Sequence, residues 1–138
     1  MTASELVLKK LADSGFQVNA VLDGISELQA DAKILDFAMS PRETLVHLSE
    51  CCVAFNETCQ GIDHNWGTYT SSAATLADLK TEFDALRTEV VSRVADDEKV
   101  LKAASGFIVL HEAYHVGQLA LLRLHLDSEW NAYSIYNH

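Results

Sequence analysis

Several things are scarce in this chain, and each scarcity removes a class of structure or partner. One proline occurs in 138 residues, and no segment alternates apolar and polar residues convincingly, so strands are not favoured. The three cysteines, Cys51, Cys52 and Cys59, are an odd number without C-x-x-C spacing, and all fall on one expected helix. That argues against a disulfide framework. No apolar run approaches the ~18–20 residues of a membrane span. Positive charge is also short: ten Lys and Arg against twenty Asp and Glu leave a formal net charge of −10. Nucleic acid and anionic membranes both reward basic patches, so neither is expected as a partner, and the plainest role of the acidity is solubility. The first residues, Met1-Thr2-Ala3-Ser4-Glu5, lack the basic-then-apolar layout of a secretory signal, and a cytoplasmic protein is expected.

What the chain does have is helical periodicity, in four stretches. The first runs from about Thr2 to Gly24, with capping-box spacing between Thr2 and Glu5 and an apolar stripe of Val7, Leu11, Val18, Val21, Leu22 and Ile25. The second opens at Ser40-Pro41-Arg42-Glu43, an N-cap serine, a proline at the first helical position and a box glutamate. Its stripe is Leu45, Leu48, Cys52, Phe55 and Cys59, and Gly61 is the expected stop. The third begins at Thr75, with Leu76, Leu79, Phe83, Leu86, Val90 and Val94 in near-heptad spacing. The fourth covers about Ser105 to Leu126, is apolar on most sides, and is expected to be the most buried. Together they predict one all-α domain over residues 1–138, a four-helix bundle. The connection from Gly61 to Ala74 is long for a hairpin turn, which points to a crossover between helices 2 and 3. The tail with Trp130, Tyr133, Ile135 and Tyr136 is too aromatic to be idle; it packs over the bundle or against a second subunit.

The chemistry concentrates in Leu110-His111-Glu112-Ala113-Tyr114-His115-Val116-Gly117-Gln118. Two histidines four apart share one helical face, about 40° apart around the axis and one turn apart along it. The bland reading is two core-edge histidines paired by chance. Against it, both sit in an otherwise apolar helix, where an unpartnered imidazole is costly. His47, on the flank of the second stripe, supplies a third imidazole. Three neutral imidazoles around an open position make the ligand set of several catalytic zinc sites, with metal–nitrogen distances of about 2.0–2.2 Å. Glu112 does not make this a zincin, because three residues rather than two separate the histidines.

Around these ligands, Glu50 is placed either to orient His47, to act on a bound water, or simply to lie on a solvated face. Tyr114 and Gln118 are further candidate catalytic groups, against the alternative that they only pack or bond a neighbouring helix. Cys51, one turn after His47, either faces the same cavity or is inert packing. His64, His125 and His138 lack ligand geometry; His125 lies roughly 21 Å along the helix from His111.

Thr44-Leu45-Val46-His47-Leu48 together with the H-x-x-x-H-x-x-G-Q core and its continuation Leu119-Ala120-Leu121-Leu122-Arg123 resembles the DinB/YfiT-like superfamily, over nearly the whole chain. The resemblance implies an up-down-down-up bundle and a divalent metal, often nickel or zinc, held by His47, His111 and His115. It implies frequent homodimers. It also implies a metal-dependent enzyme acting on a small-molecule substrate, a transferase using a low-molecular-weight thiol like the bacillithiol and mycothiol transferases and maleylpyruvate isomerase; the chemistry of a three-imidazole ion equally allows a hydrolase using metal-bound hydroxide. The alternative is a non-catalytic dimeric bundle, stress-related or metal-binding, whose metal is structural or absent. The compact third-to-fourth connection leaves little material for a substrate lid.

Overall fold

The structure, a computed structural model, describes residues 1–136, so His138 lies outside the described residues. It is all-helical, with no strand among those residues. Helix α1 spans Ala3–Leu22, α2 Pro41–Cys59, α3 Leu76–Ser92, α4 Glu98–Lys102 and α5 Leu110–Leu126. A π-helical stretch, Ala103–Val109, joins α4 to α5. Lys102, Ala103, Val109 and Leu110 all keep right-handed helical dihedrals, so α4, the stretch and α5 run on as one fourth helix. Short 3-10 turns follow α1 (Glu27–Gln29) and α5 (Ala132–Tyr136).

The helix starts follow from their caps. Thr2 and Ser40 each accept from the amide three residues on, and Glu5 and Glu43 reach back to the cap amides, completing both boxes. Thr75 accepts from the Asp78 amide at 3.1 Å. The fourth helix starts earlier than its apolar run: Asp97 caps Val100, so a charged first turn precedes the hydrophobic segment. The expected stripes make one core, in which Leu11, Leu45, Leu48, Phe55, Leu79, Phe83, Ile108 and Leu119 are buried.

The fourth helix is not the most buried, contrary to its composition. Leu110, Tyr114 and Leu121 are 64%, 63% and 59% exposed. The other helices cover only one side of it, whereas α2 buries residues on most of its faces. The tail packs over the bundle: Trp130 lies beneath the Arg123 guanidinium at 4.7 Å, and Ile135 meets the core. Tyr133 and Tyr136 stay exposed.

A few polar contacts fix which helix ends meet. The Glu27 carboxylate accepts from Arg42 at 2.5 Å and from the Leu76 amide at 2.6 Å, tying the first turns of α2 and α3 together. Farther along, Asn56 donates to the Leu86 carbonyl at 3.3 Å. Ser14 donates to Glu112 at 2.8 Å, and Arg123 donates to the Val21 and Asp23 carbonyls. Glu112, buried, also pairs with Arg87 at 2.8 Å. The guanidinium lies so close over α1 that a Cβ at Gly15 would stand 2.5 Å from its Nη1. Among the described residues, no helix is long and apolar enough to cross a membrane.

Candidate metal centre

His47 projects from α2, and His111 and His115 from successive turns of α5. Their Nε2 atoms converge: His47 to His111 at 2.8 Å and His111 to His115 at 3.1 Å. The His47 and His115 ring centroids are 5.0 Å apart, which closes the triangle. An imidazole nitrogen carries either one proton or one lone pair. The Nε2 of His111 faces two others, so at most one of its two contacts is an ordinary hydrogen bond. Nitrogens bound to a common ion at about 2.0–2.1 Å lie roughly 3–3.5 Å apart, so the cluster is close to, and slightly tighter than, a metal-binding set. Among the described residues, these three side chains lie close enough together to hold an ion.

The protonation states agree with that fit. Burial, and then the neighbouring imidazoles, push His115 down from 6.5 to about 4. Burial lowers His47 too, outweighing the pull of Glu50. Burial and His47 lower His111. All three rings are therefore neutral near pH 7, with lone pairs available to a cation. The Nδ1 of His115 is buried without a hydrogen-bond partner. With Nε2 given to a cation the ring proton belongs on Nδ1, and no side chain there competes to reverse that tautomer.

The remaining candidates divide. Cys51 does face the cluster, its Sγ 4.0 Å from the His47 Nε2, but it lies outside the three-residue set. Burial, reinforced by Glu50, pushes its thiol up to about 12. Glu50 is buried and turned to the 61–75 connection, accepting from His64 Nε2 at 2.9 Å and from the Gly67 amide at 2.7 Å. It is neither a solvated residue nor a hydrogen-bond partner of His47. Tyr114 and Gln118 bond each other at 3.0 Å on the outer surface, with the Tyr114 ring edge-on to His115. They flank the cluster, with the Gln118 side chain beside His115.

Sequence reasoning set His64 aside as lacking ligand geometry, and it is no ligand, yet it matters to the neighbourhood. Its other nitrogen meets Glu57 at 3.1 Å, so the ring is clasped between two carboxylates. That clasp holds Trp66 edge-on to His64 at 4.7 Å, and the contact continues through Phe107 (6.0 Å) to His111 (5.6 Å). No local spacing announces these contacts; the nearest signal was a lone histidine in a connection too long for a turn. The Arg87–Glu112 pair also went unforeseen. A cavity of about 1180 Å³ lies elsewhere, where Leu22, Leu45, Leu76 and Trp130 gather, and none of the three histidines lines it.

No family model, curated protein or solved structure matches this chain. The functional reading therefore rests on the cluster's own chemistry.

Proposed function

We propose that this chain is a DinB/YfiT-like metal-dependent enzyme in which His47, His111 and His115 hold one divalent ion, nickel or zinc. The observation that carries the reading is the Nε2 of His111, set 2.8 and 3.1 Å from two other imidazole nitrogens in a way hydrogen bonding alone does not satisfy. When bound, a divalent ion supplies Lewis acidity, lowering the pKa of a coordinated thiol or water and polarising an electrophilic oxygen. The chain's contribution is a neutral, half-buried donor set with no carboxylate ligand. An ion held there keeps its full positive charge and favours an anionic thiolate from a low-molecular-weight thiol. Thiol transfer to a small electrophile is the preferred reaction, and hydrolysis is the second.

An up-down-down-up arrangement is part of the same proposal. It is supported by the meeting of the α2 and α3 first turns at Glu27, and by the way Ser14 with Glu112 and Val21 with Arg123 advance together along α1 and α5. The long 61–75 connection is then the crossover. A cytoplasmic location suits three free thiols, and a homodimer suits a bundle whose last helix leaves an apolar face uncovered. The non-catalytic alternative, with a structural metal, calls for a fourth protein ligand; Cys51 is the nearest thiol but lies outside the set.

The test is elemental analysis of tag-free protein purified without chelator. One equivalent of nickel or zinc per chain is the expected result. Protein that neither retains nor takes up a divalent ion overturns the reading.

A further inference from the structure

Three of the four arginines in the chain are held by carboxylates. Arg42 pairs with Glu27 and Asp31, Arg87 with Glu112, and Arg93 with Glu89. Arg123 is held differently. Among the described residues it has no carboxylate at ion-pair distance, although the chain carries twenty Asp and Glu. Its Nη1 donates to the Val21 carbonyl at 3.1 Å and to the Asp23 carbonyl, both neutral acceptors, and the guanidinium lies over Trp130. Its Nε and Nη2 have no hydrogen-bond partner among the described residues. Gly24, at φ +84°, adjoins that free edge, and a Cβ there would stand 3.3 Å from Nη2, so the glycine keeps a side chain off it. Burial lowers the Arg123 pKa against the pull of Asp23 and Asp127, so an anion at its side would relieve a cost already borne.

Arg123 and Gly24 both line the cavity of about 1180 Å³. Its other walls are largely apolar, with Phe16, Leu22, Leu45, Leu76 and Trp130 among them. Apolar walls with a few polar groups that fix orientation are the usual make-up of a small-molecule site, and this volume admits a drug-sized ligand. We propose that the cavity binds a small amphipathic carboxylate, its apolar body against Phe16, Leu45 and Leu76 and its carboxylate on the free edge of the Arg123 guanidinium.

Charge selects this class. The planar guanidinium fork matches the two oxygens of a carboxylate. Asp23 and Glu27 line the same cavity, so a dianion such as a phosphate monoester would face two carboxylates. The second cation there, Lys80, is already held by Asp84 at 2.6 Å. A net charge of −10 opposes any anion at long range, so apolar burial has to supply the affinity and Arg123 the selectivity. The inference does not rest on the metal, since Arg123 lies about 12 Å beyond His115 along α5.

Isothermal titration calorimetry tests the proposal with octanoate and naphthoate, each beside its neutral counterpart, octanol and naphthylmethanol. At least one acid should bind with Kd below about 1 mM, and at least about tenfold more tightly than its alcohol. Binding of octanoate alone identifies an aliphatic acid site, and of naphthoate alone an aromatic one. Arg123→Gln should abolish the preference for acid over alcohol. Ala77→Trp, which fills the cavity from an exposed position on α3, should weaken acid and alcohol alike at least about tenfold with unchanged helical circular dichroism. Should Arg123→Gln unfold, the acid–alcohol comparison and Ala77→Trp still decide. Failure of both acids to bind overturns the proposal, as does an alcohol that binds as tightly as its acid. Acid binding left unchanged by either substitution lies elsewhere, the histidine cluster included, and overturns it too.

Discussion

His115 and His64 are almost equally withdrawn from solvent, at 4% exposure for the residue and 6% for the side chain, yet they are held in opposite ways. His64 lies between the Glu50 and Glu57 carboxylates, and those hydrogen bonds raise its pKa despite desolvation. His115 has no carboxylate partner, and burial, reinforced by the His47 and His111 rings, takes it down to about 4. Burial lowers both imidazoles, and carboxylate neighbours outweigh it at His64 where nothing does so at His115. An imidazole given carboxylates keeps its proton and becomes a clasp. One given imidazoles is held neutral, with a lone pair free for a cation. Both rings adjoin α2 within a few turns, so one helix carries both outcomes.

The comparison breaks most sharply under His115→Ala. Metal content is expected to fall at least tenfold, and the helical circular dichroism to persist, because the core stripes are independent of the ligands. If the ion binds only the folded state, its loss removes about 2.7 kcal/mol at hundredfold saturation. A variant that keeps its full metal would show that His115 is not a ligand, and an unfolded one would make the metal structural. Glu50→Ala tests the other half. It strips His64 and the Gly67 amide of their acceptor at a mostly buried site, and an unfolding loss of about 1–3 kcal/mol is expected with metal content retained. Urea titration beside elemental analysis reads both quantities, and loss of metal in Glu50→Ala would erase the distinction drawn above.

A smaller effect is expected from pH. In chelator-treated protein, the cluster's pKa values lie below the unfolded 6.5, so the unfolded chain takes up more protons as pH falls and stability drops between pH 6.5 and 5. His64 works the other way. Its raised pKa gives stability that is full below 6.5 and is lost as pH rises through the folded value. Removing the clasp with Glu50→Ala should therefore abolish the loss above pH 6.5, and His115→Ala should flatten the loss below it. Unfolding midpoints that do not move over this range in the unaltered chain would contradict the assignment. Least of all should change in His125→Ala: it shares α5 with the ligands but lies exposed near the helix end, so stability within about 0.5 kcal/mol and unaltered metal content are expected.

Much of this was legible from local pattern. Ser40-Pro41-Arg42-Glu43 starts its helix as the cap rules require, and the i, i+4 spacing of His111 and His115 placed both rings on one face, with His47 the third member. What was not legible depends on contacts distant in sequence. Glu50 and His64 meet across an irregular connection, and Arg87 reaches Glu112 from another helix. The π-helical stretch has no periodic signature, since Ala103-Ala104-Ser105-Gly106 also suits an ordinary helix. The exposure of α5 was hidden for a related reason: composition reports how apolar a helix is and not how many neighbours cover it.

The two tryptophans give the edge-to-face run from His64 to His111 a spectroscopic meaning. Trp66 lies one phenyl ring from His111, and Trp130 lies beneath Arg123, beyond the far end of α5. A paramagnetic cation held by the histidines would quench the emission of the first indole far more than that of the second. If the three histidines hold such an ion, the two indoles together make an intrinsic fluorescent gauge of its occupancy, with Trp130 as the internal reference.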